Sequence, residues 1–527
     1  MRIVRATLLC AVVLAVGVLL VSGGSGTDPR TPAALPGLAP PFLGTAVTGD
    51  GGLTAALDAY GDVVDLRPGP AGAALIDNPS DRQAAGTVPE DTGIVPRLSG
   101  KPMWEADEVS QRYLPGTNVV RTVARFGGTR VLMTAAATGD SLVVTIRTAA
   151  TGGSGRTVNP SPTDDPDSRS TLSSSLTIDV AGDVRCARER QAGQLDLSCG
   201  LGRAVLPVPA AAARDAIEAA TNEARRWLRQ SRPLGAAAPG WAREMYQRSL
   251  LTVHALTSRR TGAVAAGARD GWAYVWPRDA ATAALALEAS GHPREARHVA
   301  RFLTGLDLAA AARFTESGAP VPGRAAQGDA LGWVTAAARA TNVRAPSGPY
   351  AWRNKSDYQE SSPGTYLGNA LAAAGSGVDG PKNHVIRGFS AHRHGGLVRV
   401  AGDPGSGLDS AAGWAVRPFR LRALYPAAER TLLHLVRDGT RYGITPGEGW
   451  TGGEDPWTAP TAWSAWALAG LGDRRAALTL LADLRRAATP AGDLPERVGV
   501  HTGIPTSTTP LLWSSAFAVL ALRELWP

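Results

Sequence analysis

Apolar and polar residues alternate in short runs between residues 42 and 209, and beyond residue 210 the apolar positions recur every three to four residues. The clearest period-two runs are 63–66, 119–126, 129–134, 141–146, 172–180 and 194–198, separated by glycine-bearing turns and by a polar loop over 152–170. Strands this short, each with one apolar face, bury that face against a second sheet, so the pattern predicts an antiparallel β-sandwich over 42–209. The segment 211–230 reads as one amphipathic helix, ended by Pro233, within a connector over 210–236. Helical runs follow at 244–258, 277–290, 295–303, 329–340, 366–374, 426–436, 461–471, 475–487 and 510–525, with short loops and scarce strand signals. A ring of helical hairpins over 237–527 fits that pattern better than a sheet-centred fold. The predicted class is therefore α+β multidomain, a β-sandwich followed by an all-α barrel.

The N-terminal residues are of a different kind. Arg2 and Arg5 precede an apolar run over 6–21 and then Ser-Gly-Gly-Ser-Gly, which predicts a signal peptide or N-terminal membrane anchor over 1–24. A Pro/Gly-rich linker occupies 25–41. Membrane contact is expected only through this segment, leaving the remainder outside the cytoplasm, secreted or anchored. In such a compartment Cys186 and Cys199 are expected to pair and close the hairpin 183–200, with Cα atoms roughly 4.4 to 6.8 Å apart. The third cysteine, Cys10, lies inside the apolar run.

A net charge of +8 suggests a polyanionic partner until its make-up is considered. Only Lys101, Lys355 and Lys382 are lysines among 54 basic residues, and the arginines are interleaved with Asp and Glu throughout. That is a solvated surface, and no nucleic-acid partner is expected.

Chemistry concentrates after residue 237. The stretch 271–280, GWAYVWPRDA, packs Tyr274, Trp276, Arg278 and Asp279 around the start of a helix whose first position suits Pro277. An indole or phenol face against a pyranose, with a guanidinium and a carboxylate for its hydroxyls, is a sugar-binding palette. Twelve of the fourteen tryptophans lie at or beyond Trp241, several beside charged loop residues, such as Trp450 and Trp457 around Glu454 and Asp455. Two loop carboxylates, Glu360 and Glu496, stand far apart in sequence, each next to a helix. Carboxylates meeting across a pocket serve glycosidic cleavage, one protonating the leaving oxygen and one activating water. Glu448, Glu454, Asp403 and Asp409 compete with them on spacing alone. The pair His392 and His394 lacks further ligands at metal spacing, so no metal is expected. Nucleophile-elbow and phosphate-loop motifs are absent from the sequence, so carboxylate hydrolysis remains.

With these residues in view, the chain resembles the bacterial glucoamylase family of glycoside hydrolases, family 15. Gln111-Arg-Tyr-Leu-Pro-Gly-Thr-Asn118 resembles the signature of that family's sandwich, Tyr274 to Asp279 its first sugar-binding motif and Gln327 to Gly332 its second. Asp357 to Glu360 resembles the general-acid motif, Gly453 to Trp457 the glycine-proline-tryptophan motif, and Leu494 to Glu496 with Ser507 to Trp513 the base motif. The resemblance implies an (α/α)6 barrel of six-hairpin glycosidase type, no cofactor, and inverting exo-hydrolysis that frees glucose from an α-glucoside or α-glucan. Glu360 is then the acid and Glu496 the base, with Tyr274, Trp276, Arg278, Asp279, Gln327, Glu448, Trp457, Arg497 and Trp513 as sugar contacts. Gln359 and Arg497 stand where the family usually carries Trp and Gln. The alternative is a catalytically weak or inactive cell-envelope glycan-binding protein on the same fold.

Overall fold

The computed structural model describes residues 46–77, 93–150, 175–182, 184–191, 193–200, 209–347, 351–359, 362–377, 387–390 and 395–527. The expected N-terminal segment, the linker, Glu360, His392 and His394 lie outside the described residues.

Two antiparallel sheets form the sandwich. In the first, β1 (Ala46–Gly49), β2 (Leu53–Leu57), β3 (Val63–Pro68), β5 (Gly93–Leu98) and β11 (Leu176–Ala181) run in that order. Here β4 (Ile76–Asp77) lies beside β3, and β6 (Lys101–Pro102) beside β5. The second has the order β12 (Arg185–Gln191), β13 (Gln194–Gly200), β10 (Ser141–Ala150), β9 (Thr129–Thr138), β8 (Val120–Phe126), β7 (Glu108–Tyr113). Leu53, Leu57, Leu66, Ile94, Leu142, Val144 and Ile146 meet in one buried core, as the period-two pattern requires. Cys186 and Cys199 are register partners on β12 and β13 and are disulfide-bonded. Their Cα atoms are 4.1 Å apart, slightly below the expected range, because residues directly opposite on neighbouring antiparallel strands stand closer than most bridged cysteines.

Helix α1 (Ala210–Gln230) leads from the sandwich to the barrel. Its Trp227 is stacked between the rings of His254, at 4.2 Å, and His292, at 3.9 Å, and donates to Glu295 Oε1 at 2.7 Å. The helices beyond are of two kinds. In α3 (Pro277–Ala289), α5 (Ala330–Ala340), α6 (Leu367–Ser376), α8 (Thr458–Leu471) and α10 (Leu512–Leu525) residues on every side are buried. A helix apolar all round has protein on all sides. These five, with a 3-10 segment at Ser410–Ala415, pack in the closed order α3, α5, α6, Ser410–Ala415, α8, α10 and back to α3. By contrast, α4 (Pro293–Thr304), α7 (Tyr425–Arg437) and α9 (Arg474–Ala487) bury one stripe each, and pack on α3, on Ser410–Ala415 and on α8. With α2 (Gly240–Ala255) against α10 they form the outer layer, so the molecule is a sandwich followed by a helical barrel.

All ten helical segments expected from the apolar period are present. The last starts at Leu512 rather than Pro510, since the chain is still extended at Leu511. The sequence reading misses β1, β2, β4, β5, β6 and β7, and the small hairpin β14 (Val398–Val400) and β15 (Asp403–Leu408) inside the barrel.

Candidate active site

The inner helices begin at one end of the ring, and their first residues converge there. Trp276 caps α3, Trp457 caps α8, Leu511 caps α10, and all three line a cavity of about 370 Å³. Trp272, Arg278, Asp279, Gln359, Trp450, Glu496, Arg497, Ser507 and Trp513 complete most of its wall. Beneath it the barrel is filled by aromatic rings: Trp463 lies 4.8 Å from Trp513 and 5.5 Å from Trp414, and Tyr358 lies 5.4 Å from Trp414. The tryptophans thus divide between core (Trp333, Trp414 and Trp463) and wall.

Glu496 reaches solvent through this cavity and is otherwise surrounded by protein. Its backbone is fixed on both sides, with Glu496 N donating to Thr508 O at 2.9 Å and Thr458 N donating to Glu496 O at 2.9 Å. Ser507 Oγ donates to one carboxylate oxygen and Trp272 Nε1 to the other, the latter at 3.4 Å. Burial raises the Glu496 carboxyl above its usual range, against the Ser507 hydrogen bond and the charge of Arg497, which both lower it. A raised carboxylate is a stronger base towards water than a solvated one.

Arg278 is spent on the protein. Its NH1 donates to Gln327 Oε1 at 2.9 Å and Asp329 Oδ2 at 3.0 Å, its NH2 lies 3.3 Å from Asp279 Oδ2, and its guanidinium covers Trp513 at 4.3 Å. Asp279 is buried, and desolvation pushes its carboxyl up to about 6 although Arg278 opposes this. Gln327 therefore sits behind Arg278, donating to Asp357 O at 2.5 Å, and does not line the cavity. Asp357 in turn is held by Arg399, whose NH2 is 3.1 Å from both carboxylate oxygens. Gln359 N donates to Asp357 Oδ1 at 3.0 Å, and Gln359 Nε2 donates to Tyr358 Oη at 2.9 Å. Tyr358 Oη donates to the buried Asp409 at 2.9 Å. This lattice anchors the segment leading to Glu360.

Besides Gln327, two more expected sugar contacts are elsewhere. Glu448 is directed out of the cavity, because the turn closed by Trp450 N on Gly447 O at 3.2 Å sends Trp450 inward and Glu448 outward. Its Oε2 accepts from Leu408 N at 2.8 Å and its Oε1 lies 2.5 Å from His434 Nε2. Asp438 joins that cluster, but Arg437 NH2 is 2.6 Å from His434 Nδ1, which leaves the imidazole proton on Nε2 for the carboxylates rather than a lone pair for a cation. Tyr274 lines a different cleft, with Arg313 4.8 Å over its ring. Of the rival carboxylates, Asp403 and Glu454 are exposed and outside the cavity, and Asp409 lies behind Gln359.

Sequence reasoning missed Trp272 as the hydrogen-bond partner of Glu496, although it stands in the stretch 271–280. It also missed Arg324, which lines the cavity with its guanidinium 5.6 Å from the Trp276 ring, and Arg399. Neither arginine sits in a motif that could have flagged it.

Among the described residues, the indole nitrogens of Trp276, Trp450, Trp457 and Trp513, and Gln359 Oε1, are buried without a hydrogen-bond partner, as are the indole nitrogens of Trp333 and Trp414 in the core.

The sequence matches no protein-family model and no curated protein. Its structure is similar to that of a bacterial glucoamylase complexed with acarbose, at a TM-score of 0.63 and 13% identity over 96% of both chains. That likeness covers sandwich and barrel together, so the two chains share one fold, a β-sandwich followed by a helical barrel. Looser likenesses extend to a wild-type glycosidase (21% identity, TM-score 0.45, 54% of this chain and 96% of that one) and to a glucoamylase from Saccharomycopsis fibuligera (14%, 0.42, 54% and 94%).

Proposed function

We propose that the chain is an exo-acting, inverting glycoside hydrolase of glucoamylase family 15 that releases glucose from α-linked gluco-oligosaccharides or α-glucans. The observation that carries this reading is Glu496, held by Ser507 and Trp272 in a cavity walled by Trp276, Trp457 and Trp513. In the reaction Glu496 removes a proton from water as the water oxygen bonds to the anomeric carbon. Glu360 gives its proton to the departing glycosidic oxygen, so the carbon–oxygen bond breaks with inversion. The role of Glu360 rests on the resemblance of Asp357 to Glu360 and on the anchoring of Asp357. The aromatic floor favours a chain end over the middle of a chain. An extracytoplasmic setting agrees with the bond between Cys186 and Cys199. Among the described residues no helix is long and apolar enough to cross a membrane.

Arg497 beside Glu496, and Gln359 in place of an indole, favour a second reading, a glycan-binding protein with weak catalysis. Incubation with maltose, isomaltose, trehalose, dextran and starch separates the two. Proton NMR is expected to show β-glucose formed first from one of them. First-formed α-glucose overturns inversion, and binding without any release of glucose supports the second reading.

A further inference from the structure

A second, larger cleft of about 940 Å³ lies between the sandwich and the barrel. Arg67, Ala73 and Asp77, on and after β3, form one side, and Tyr274, Arg313 and Ser317 of the barrel form the other. Gly271 belongs to the wall of this cleft and to that of the Glu496 cavity, so the two adjoin.

The cleft is built rather than a loose seam. Glu316 N donates to Ala71 O at 3.1 Å, and Arg67 is forked onto Asp65, at 2.8 Å from both Nε and NH2, while its NH1 donates to Gly72 O at 3.0 Å. Ser258 and Arg260 donate to Glu316 Oε1 at 2.8 and 3.0 Å. Gly69, at φ +102°, lies so close to this carboxylate that a Cβ there would be 2.1 Å from Glu316 Oε2. Beside these groups, Arg313 and Tyr274 offer further polar atoms to a ligand. Arg313 donates NH1 to Gly271 O at 3.2 Å, and among the described residues no carboxylate partners its guanidinium and no hydrogen bond occupies its NH2. The Tyr274 hydroxyl likewise has no hydrogen-bond partner among the described residues. A guanidinium over a phenol, both with donors to spare, suits a chain of sugar hydroxyls.

We propose that this cleft binds the leaving-group side of an oligosaccharide whose terminal sugar occupies the Glu496 cavity, with the sandwich supplying one wall of the binding surface. The proposal rests on the glycoside hydrolase reading and adds to it where the leaving-group sugars lie and that the sandwich takes part in holding them.

The test is calorimetric titration of the full chain carrying Glu496→Gln with malto- and isomalto-oligosaccharides of two to five units. Affinity is expected to tighten roughly tenfold with length in one series. Adding Tyr274→Ala, or separately Ala73→Trp to fill the cleft from the sandwich side, is expected to abolish that gain. The two variants touch different domains, so misfolding of one leaves the other as a test, with circular dichroism to confirm the fold. Affinity independent of length, a gain that survives both substitutions, or no binding at all overturns the proposal. The hydrolase reading is judged separately, by release of nitrophenol from an aryl α-glucoside by the unsubstituted protein, which occupies the Glu496 cavity alone.

Discussion

Tyr113 on the last strand of the second sheet donates its hydroxyl proton to Asp493 Oδ2 at 2.9 Å, and so joins the sandwich to the loop that carries Glu496. Arg248 of α2 lies between them, 3.7 Å from the Tyr113 ring, with its Nε 3.4 Å from Asp493 Oδ1. Its NH1 reaches back to Thr117 O at 3.0 Å, and Asn118 Nδ2 donates to Leu251 O at 3.1 Å. From Asp493 the chain runs through Leu494, whose carbonyl accepts from Leu511 N at 2.8 Å, to Glu496. Residues of the stretch Gln111 to Asn118 thus hold the loop of the proposed base through the interface between sandwich and barrel.

Tyr113→Phe removes the donor and keeps the ring. Burial already raises the Asp493 carboxyl, and the lost hydrogen bond leaves a buried acceptor less satisfied, at a cost of about 1–3 kcal/mol. Urea denaturation is expected to show that loss. If the contact also positions Glu496, kcat on an aryl α-glucoside falls while KM stays near its original value. A fall in stability with unchanged kcat would confine Tyr113 to holding the fold.

Arg497→Gln tests the electrostatics of the proposed base. The Arg497 charge lowers the Glu496 carboxyl, though less than burial raises it. A base works ionised, so activity is lost as pH falls through its pKa. Removing the cation raises that pKa further, and the acidic limb of the profile of kcat/KM against pH is expected to move to higher pH. An unmoved limb would mean that the limb does not report Glu496.

The helices were legible because each inner one is apolar on every side and each outer one on a single stripe, as Thr458–Leu471 and Arg474–Ala487 show side by side. Most of the wall was legible because Trp276, Trp457 and Trp513 stand at or just after helix starts, which the ring brings together. What failed was direction within a loop: Glu448 and Trp450 are two residues apart and face opposite ways because of one turn hydrogen bond. Partners from distant loops were equally hidden, since nothing local to Arg399 says that it will clamp Asp357. Strands such as β2 (LTAAL) were missed because both faces are buried, which erases the alternation.

Stability should depend on pH in an unusual sense. Burial raises Asp58 to about 6, Asp65 to about 7 and Asp409 to about 7, although Arg67 beside Asp65 and Arg399 beside Asp409 oppose it. An unfolded aspartate titrates near about 3.9, so each of these groups binds its proton more tightly in the folded chain. The contribution is fully present below about pH 4 and is lost as pH rises through the folded values of about 6 to 7. The urea midpoint is therefore expected to be higher at pH 5 than at pH 8. Asp65→Asn, which keeps the shape without the ionisation, should flatten the slope, and a midpoint that rises with pH would contradict these shifts.

Glu496→Gln separates binding from chemistry. The amide keeps the shape of the carboxylate and can still meet Ser507 Oγ and Trp272 Nε1, the two donors that hold Glu496, once the amide oxygen turns to one of them. The other donor then faces an NH2 group, a local cost that the fold, anchored through Thr458 and Thr508, absorbs without opening the cavity. What the amide cannot do is take a proton from water. Loss of a positioned base lowers turnover by about 10²–10⁴-fold, so hydrolysis of an aryl α-glucoside should fall within that range while sugar binding persists. Azide supplied to the variant should restore turnover, because a small anion fits where the base would activate water, and the product should then be the β-glucosyl azide. Wild-type rates in Glu496→Gln would move the role of base to another carboxylate. Among the described residues that line the cavity the alternative is Asp279, and its contact with Arg278 predicts that Asp279→Asn would then abolish activity.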